Sequence, residues 1–227
     1  MQKNVAFIPV RGGSKSIPLK NIKEIGGKPL VYWTAAAASK CLDIDMVYVA
    51  TDSDEIKKTV EDFELPKVTV IGRSAESASD KASTESAMLE FAKEHEFENI
   101  VLVQATSPLL TADDLANGFE MYNLPGVDSV LSAVKQKRFI WKDDADGAVA
   151  QNYDYFRRPR RQDYEGYYVE NGAFYITSRK RLLETGNRIS GTIRIVPMCE
   201  ESFYEIDEPS DWVIIEEFMK RRQENER

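Results

Sequence analysis

The chain has 227 residues, 42% of them hydrophobic and 10% aromatic, which suits a single α/β domain over residues 1–227 with a sizeable core. Its formal net charge of −8 argues against a general nucleic-acid or membrane-surface binder, because both need a basic face. No stretch approaches the roughly 18 apolar residues of a membrane span, and the first apolar run is too short for a signal peptide, so we expect a cytoplasmic protein.

The strand and helix patterns alternate as far as residue 122. The predicted strands are Val5–Val10, Met46–Ala50, Val68–Ile71 and Ile100–Val103, and the predicted helices are Leu30–Lys40, Asp54–Phe63, Thr84–His95 and Ala112–Tyr122. This alternation predicts an α/β fold with a mainly parallel, doubly wound sheet.

After a further strand, Val127–Val134, the pattern changes. The chain from Lys135 to Tyr168 is polar, aromatic and basic, and it shows no helical periodicity. We expect an excursion of two or three strands and a long loop, which in a compact domain is usually functional or an interface. Two strands, Gly172–Thr177 and Thr192–Val196, and a closing helix, Pro209–Arg222, are predicted to follow.

The two cysteines and the single histidine restrict the chemistry. Cys41 and Cys199 are neither spaced as metal ligands nor numerous enough for a disulfide framework, so we expect ordinary reduced residues. His95 lies among charged residues near a predicted helix end and is expected at the surface. Histidine-dependent catalytic triads and multi-histidine metal sites are therefore effectively excluded as the chemistry of this protein.

The loop after the first strand is the most informative segment, because its glycines let the backbone approach an anion that its cations neutralise. Its candidate triphosphate-binding residues are Arg11, Gly12, Gly13, Ser14, Lys15 and Lys20. The spacing excludes a Walker loop and a Rossmann fingerprint. The alternative interpretation is a solvated basic loop.

Two later loops are predicted to reach the same edge of the sheet. In IGRSAESASDKAST, Arg73, Asp80 and Ser83 lie among small residues that would let a flat base rest against the backbone. A solvated loop with Ser83 as a helix cap is the alternative. In VLVQATSPLL, a buried strand delivers Gln104 to the ligand edge, unless the segment is merely a turn.

Two charged segments complete the set of candidates. Four arginines, Arg157, Arg158, Arg160 and Arg161, suit a carboxylate or phosphate partner, although a solvated run is the alternative. In FYEIDEPSDW, Glu205 and Asp207 are two residues apart, so on an extended segment their carboxylates share one face and can hold Mg²⁺. Asp207 is also compatible with a helix N-cap.

Taken together, these segments resemble the acylneuraminate cytidylyltransferases, the CMP-sialic acid synthetases. The opening AFIPVRGGSKSIPLKN is similar to the family pattern A-x-I-P-A-R-G-G-S-K-G-I-P-x-K-N, and RSAESASDKAST, QATSPL, RRQDYEGYYVENGAFYI and EID follow in family order. The resemblance covers Val5 to about Trp212. It implies transfer of CMP from CTP to the anomeric hydroxyl of a nonulosonic acid, with release of pyrophosphate, for surface polysaccharide synthesis.

The resemblance also implies residue roles. Arg11 and the backbone of Gly12, Gly13, Ser14 and Lys15 would bind the triphosphate, and Lys20 would stabilise charge at the α-phosphate. The cytidine contacts would be Asn21, Arg73, Ala82 and Ser83, and the sugar-acid contacts Gln104, Lys142, Arg161 and Tyr175. Glu205 and Asp207 would hold Mg²⁺, and a water near Asp207 or a metal-activated hydroxyl would take up the proton. The excursion, residues 135–170, would form a dimerisation and sugar-binding subdomain of a homodimer.

Three departures from the family pattern bear on the substrate. Ser16 stands where many members have glycine, the acidic pair reads Glu-Ile-Asp, and Arg188-Ile189 replaces an aromatic pair. The missing aromatic pair favours a legionaminic, pseudaminic or deaminated acid over N-acetylneuraminate. A CMP-KDO synthetase or another sugar nucleotidyltransferase, and a non-catalytic nucleotide-binding module, are the alternative classes.

Overall fold

The computed structural model describes residues 2–13 and 16–225, which form a seven-stranded sheet, two small hairpins and helices. The strands are β1 (Gln2–Pro9), β2 (Glu24–Ile25), β3 (Lys28–Pro29), β4 (Met46–Thr51), β5 (Val68–Gly72), β6 (Phe97–Val103), β7 (Ser129–Gln136), β8 (Trp141–Asp144), β9 (Gly147–Ala150), β10 (Tyr167–Ser178) and β11 (Ile193–Met198). The α-helices are α1 (Leu30–Lys40), α2 (Asp54–Glu61), α3 (Thr84–Glu94), α4 (Ala112–Tyr122), α5 (Arg179–Thr185) and α6 (Pro209–Asn225).

The large sheet has the order β11-β7-β10-β6-β1-β4-β5. Within the described sheet, β10 is antiparallel to both of its neighbours and every other pairing is parallel. The predicted mainly parallel sheet is therefore confirmed, and β10 is the one antiparallel element that the apolar patterning did not reveal.

Helices cover both faces of the sheet, as the near-continuous apolar strands require. Ala6 and Ile8 of β1 join a core with α1, α2 and α4, whereas Val5 and Phe7 join a core with α3 and α5. Side chains of a strand point alternately to opposite faces, so β1 is buried on both sides. This arrangement confirms the doubly wound prediction.

The order of the strands creates a crevice between β1 and β6. From β1 the chain builds outward through β4 and β5, and then returns to pair β6 with the other side of β1. The loops that follow these two neighbouring parallel strands run in opposite directions, which leaves a crevice at the carboxyl ends of the strands. Ligands of such sheets bind in that crevice. The loops after Pro9 and Val103 flank this crevice.

The excursion is shorter than predicted. Gln136 of β7 pairs with Tyr167 of β10, so both ends of the predicted segment 135–170 belong to the large sheet. Beyond that pair, β8 and β9 form a hairpin that shares no strand pairing with the large sheet among the described residues. The apolar runs that predicted these two strands stop short of Gln136 and Tyr167, so the extension of the ladder was not predicted.

Two smaller predictions need comment. His95, expected at the surface, is partly buried, because its ring stacks on Phe91 at 4.4 Å between centroids and lies 5.2 Å from Tyr48. Cys41 and Cys199 are free thiols, as predicted. In the part of the chain that the structure describes, no helix combines the length and apolarity that crossing a membrane requires.

Candidate functional site

A cleft of about 570 Å³ lies at the carboxyl edge of the sheet, over the crevice between β1 and β6. It collects predicted residues from three loops and the C-terminal acidic segment. The predicted residues that line it are Arg11, Lys20, Asn21, Arg73, Ala82, Ser83, Gln104 and Asp207. The sequence positions span almost the whole chain, so the fold rather than local sequence assembles the cleft.

The loop after β1 is held by carboxylates. Arg11 Nη1 lies 2.7 Å from Asp80 Oδ1, and the Gly12 amide donates to Asp52 Oδ1 at 3.0 Å. The Asn21 side chain donates to the Arg11 carbonyl at 3.0 Å and braces the loop. The cation and the amide that would bind an anion are therefore each held by a carboxylate. Of the other predicted loop residues, Gly13 has open space beside it, and Ser14 and Lys15 lie outside the described residues.

Lys20 points at the acidic segment Glu205 to Asp207. Leu19, whose φ is +50°, turns the chain into a short 3₁₀ helix that begins at Lys20. The ammonium donates to the Ile206 carbonyl at 2.7 Å and to Asp207 Oδ1 at 3.2 Å. The Lys20 side chain is only 12% exposed, so its ammonium group is a largely buried part of the cleft lining.

The start of α3 forms another wall. Ser83 is the N-cap of α3, and its hydroxyl accepts a hydrogen bond from the Ser86 amide at 3.2 Å, while the residue also lines the cleft. Ser83 is therefore both the helix cap and a lining residue of the cleft, and its contact with a base stays a prediction. Arg73 donates to the Ser77 carbonyl, and burial lowers the pKa of its guanidinium, which nevertheless stays charged at neutral pH.

A second cavity of about 330 Å³ adjoins the cleft. The two share Gln104, Thr106 and Asp207, so they form one continuous site with a junction at these residues. The second cavity adds Glu170, Gly172, Tyr175 and Glu205 to its lining. Within the described chain, Thr106 Oγ1 at this junction is buried and has no hydrogen-bond partner.

A bulge in β10 shapes the second cavity. Glu170 and Tyr175 are five residues apart and would face opposite sides of a regular strand. The ladder with β7 shifts register between them, and Gly172 takes the left-handed conformation with φ +69°. Both side chains consequently reach the same cavity.

Behind this cavity, Tyr175 is fixed by a charged network. Its hydroxyl donates to Glu170 Oε1, and the Arg188 guanidinium carbon lies 5.0 Å from its ring centroid. Arg188 Nε in turn donates to Glu85 Oε1 at 2.5 Å. Burial, followed by the hydrogen bond to Glu170, raises the pKa of Tyr175, so the phenol stays a protonated donor. The residue that departs from the family's aromatic pair, Arg188, therefore supports the tyrosine.

The acidic pair lies at the junction. Ile206 is fully buried and its amide donates to the Thr106 carbonyl at 2.8 Å, so the flanking Glu205 and Asp207 both reach the cavity. Burial raises the pKa of Glu205, and the nearby Asp207 raises it further. These are hard oxygen donors of the kind that Mg²⁺ prefers.

The prediction that Asp207 is also an N-cap is wrong. Helix α6 begins at Pro209, one residue later than an Asp207 cap requires. The amides of Asp207 and Glu208 instead donate to Asp211 Oδ2 at 3.0 and 2.8 Å. This arrangement leaves the Asp207 carboxylate free to face Lys20.

Two predicted sugar-acid residues do not line the cleft or the second cavity. Lys142 is on the β8–β9 hairpin, where its ammonium lies 3.9 Å from Asp144. Arg161 lines a separate cationic cavity of about 520 Å³ with Lys135 and Arg158. Both belong to the excursion, which projects from the large sheet, so a single protomer does not bring them to the site.

The structure also adds residues that were not among the predicted contacts. Asp52, which follows β4, holds the Gly12 amide, while Thr106 and Glu170 line the second cavity. Thr106 stands in the QATSPL segment, so its position was a usable signal. Glu170 precedes Asn171-Gly172, a pair that marks a bulge when it interrupts a strand.

Comparison with solved structures first identifies the fold. The chain has the fold of a CMP:2-keto-3-deoxy-manno-octonic acid synthetase complexed with CTP, with a TM-score of 0.72 and 17% identity over 97% of this chain and 100% of that one. It also has the fold of a 4-diphosphocytidyl-2C-methyl-D-erythritol synthase from Anaerococcus prevotii, with a TM-score of 0.71 and 14% identity over 96% of each chain. The chain therefore shares the fold of these two synthases.

Comparison of sequences then gives the family. Residues 5–225 match the family described as Cytidylyltransferase, and the chain belongs to it. It is 37% identical over 221 residues to N-acylneuraminate cytidylyltransferase A of Danio rerio, covering 95% of this chain and 50% of that one. It is 26% identical over 238 residues to the CMP-N,N'-diacetyllegionaminic acid synthase of Legionella pneumophila, covering 97% of each. The chain spans about half the length of the vertebrate relatives.

Gly172→Ala tests the packing at the junction. A Cβ at Gly172 would lie 3.0 Å from Gln104 Nε2 and 3.1 Å from Glu205 Oε2, on a backbone with φ +69°. We expect the left-handed conformation to lower the free energy of unfolding by about 1 kcal/mol, with a further loss because Gln104 and Glu205 must move. Urea denaturation measures the change.

The matched control is Gly126→Ala. Gly126 also has positive φ, +78°, but nothing lies within 4 Å of its added Cβ. It should therefore lose only the conformational part of the stability. Equal destabilisation of the two variants would contradict the close approach at Gly172.

Proposed function

We propose that this protein transfers CMP from CTP to the anomeric hydroxyl of a nonulosonic acid and releases pyrophosphate. The observation that carries the proposal is the junction itself. Gln104 and Asp207 line both the nucleotide-sized cleft and the adjoining polar cavity, and Lys20 contacts Asp207 there. The names of the relatives support the donor and the class of acceptor. We place the reaction in the cytoplasm, where CTP is made, and assign its product to surface polysaccharide synthesis.

The larger cleft suits the nucleotide. The small residues Ala82 and Ser83 leave a surface on which a flat base can lie, and Arg73 adds a charged donor. The triphosphate would run along the loop from Arg11 to Gly13, replacing Asp80 on the guanidinium and Asp52 on the Gly12 amide. Carboxylate and phosphate oxygens accept hydrogen bonds from the same donors. The donors that now contact Asp80 and Asp52 are therefore the ones that we expect to bind the triphosphate.

The chemistry requires alignment and charge stabilisation more than covalent assistance. The anomeric oxygen forms a bond to the α-phosphorus while the bond to the bridging oxygen breaks, that oxygen leaves with pyrophosphate, and the proton of the anomeric hydroxyl passes to a water near Asp207. Lys20 lies where the two cavities meet, so its ammonium stabilises the charge that develops on the α-phosphate. Gln104, at the same junction, would orient the acceptor.

The residues at the junction fit Mg²⁺. Lys20 neutralises Asp207, whereas Glu205 forms no ion pair with another described residue and its pKa is raised by burial and by Asp207. A partly buried carboxylate next to a second one, with no ion pair of its own among the described residues, is an environment that a divalent cation stabilises. We propose that Glu205 and Asp207 hold the ion, which when bound neutralises charge on the triphosphate.

The proposal is tested by pyrophosphate release with CTP, Mg²⁺ and a panel of acids: N-acetylneuraminate, the deaminated acid, diacetyllegionaminate, pseudaminate and KDO. We expect release with at least one nine-carbon acid and none when CTP or the acid is left out. Release with KDO alone would make the protein a CMP-KDO synthetase. Binding of CTP without release from any acid would contradict the proposed transfer.

Lys20→Ala tests the assignment of the electrostatic stabiliser. Removing one preorganised positive group from a phosphoryl-transfer site should lower turnover by about a hundredfold. Steady-state rates at saturating CTP and acid measure the loss. The control is Lys23→Ala, which removes the same charge from an exposed side chain that lies 4.5 Å over the Trp212 ring, outside the cleft. Turnover of Lys20→Ala within about fivefold of the parent would remove Lys20 from this role.

We propose further that the protein is a homodimer joined through the excursion. Two observations support this: the β8–β9 hairpin stands apart from the large sheet, and it is flanked by exposed apolar side chains including Trp141, Tyr155 and Phe156. An isolated two-stranded hairpin is only marginally stable, and aromatic residues are enriched in interface cores. A partner would cover these groups and would receive Lys142 and Arg161, which do not reach the cleft of their own protomer.

Phe156→Asp tests the interface. Phe156 is 82% exposed in the protomer, and we expect a buried charge there to dissociate the dimer. Sedimentation at micromolar concentration should show twice the 25.8 kDa protomer for the parent and one protomer for the variant. Leu42→Asp is the control, because Leu42 is 94% exposed on a loop remote from the excursion. A monomeric parent would contradict the dimer.

A further inference from the structure

Glu170 has no role in the proposed reaction as described so far, yet it lines the second cavity together with Tyr175 and Glu205. It is exposed, although its neighbour in the network, Tyr175, is only 2% exposed. The bulge at Gly172 directs both side chains to this cavity. A bulge of this kind redirects a side chain at a defined place, which is unnecessary for a carboxylate that only meets solvent.

The carboxylate is fixed by its neighbours. The Tyr175 hydroxyl donates to Oε1, and Tyr175 is itself held by Arg188, which is paired with Glu85 in the first turn of α3. Among the described residues, Oε2 of Glu170 accepts no hydrogen bond. Glu170 therefore presents an oriented acceptor with spare capacity to whatever enters the cavity.

The charges of the cavity restrict the orientation of its ligand. Glu170, Glu205 and Asp207 all line it, so a sugar acid must keep its own carboxylate away from the Glu170 side. What it can present to Glu170 is a donor: a hydroxyl or the N–H of an acylamino group. A site that hydrogen-bonds such a donor discriminates strongly against an analogue that lacks it.

We infer that Glu170 is an acceptor-binding residue that accepts a hydrogen bond from a hydroxyl or acylamino group of the sugar acid and so contributes to the choice of acid. This inference rests on the proposed function, because it specifies how the same acceptor cavity recognises its substrate. Tyr175 is the positioning residue of the pair. Its hydroxyl holds one oxygen of the carboxylate and leaves the other for the ligand.

The experiment measures steady-state kinetics of the parent, Glu170→Ala and Glu170→Gln with each acid that the parent uses. Loss of a hydrogen bond to a charged acceptor should raise the KM for the best acid roughly ten- to a hundredfold in Glu170→Ala, with an intermediate rise in Glu170→Gln. The KM for CTP and the turnover at saturation should change by less than about threefold. The ratio of kcat/KM between acids that differ in one donor group should move toward one.

Glu98→Ala is the matched control, because Glu98 is an exposed strand carboxylate at the opposite end of β6 and its removal changes the net charge equally. It should leave all constants unchanged. An active parent whose acid KM and selectivity are unchanged in Glu170→Ala overturns this inference alone. A parent that binds CTP but uses no acid overturns the proposed function and this inference with it.

Discussion

One left-handed residue, Gly172, determines where the two halves of the site meet. The parallel strands deliver their loops to the carboxyl edge of the sheet, but β10 runs the other way and crosses this edge in its middle. The bulge lets Glu170 and Tyr175, which are an odd number of residues apart, reach one cavity, and glycine favours both the left-handed conformation and the close approach of Gln104 and Glu205. The shape of the second cavity and its closeness to Glu205 follow from that geometry.

Opposite charges divide the site into regions with different tasks. The cationic region is the loop after β1 with Lys20, and in the described residues its donors already contact Asp52, Asp80 and Asp207. The acidic region contains Glu205, where burial and a neighbouring carboxylate raise the pKa. A triphosphate suits the first region, whereas a divalent cation and the donor groups of a sugar suit the second. This division of charge is the feature of the geometry that suits the proposed transfer between two anionic ligands.

Much of the fold was readable from the sequence because apolar runs and helix caps are local signals. Helices α1 and α4 have the predicted bounds, and the side chains of Ser53 and Thr111 cap α2 and α4. The cleft was predictable in part, since side chains after parallel strands converge whatever their distance in sequence. Glu170 was not predicted, because its position depends on a register shift between β7 and β10. Lys142 and Arg161 do not line the cleft or the second cavity of a single protomer, and their contact with a sugar acid stays a prediction.

A crystal structure of the protein with CTP and Mg²⁺ bound would test whether the larger cleft holds the nucleotide and the second cavity is left for the acid. We expect the cytosine to lie against Ala82 and Ser83 and the α-phosphate to lie within reach of Lys20. The triphosphate should run along Arg11 to Gly13, with Arg11 released from Asp80. The cavity lined by Glu170 and Tyr175 should stay open for the acid. Cytosine bound in that second cavity, or an α-phosphate remote from Lys20, would contradict this assignment of the two cavities.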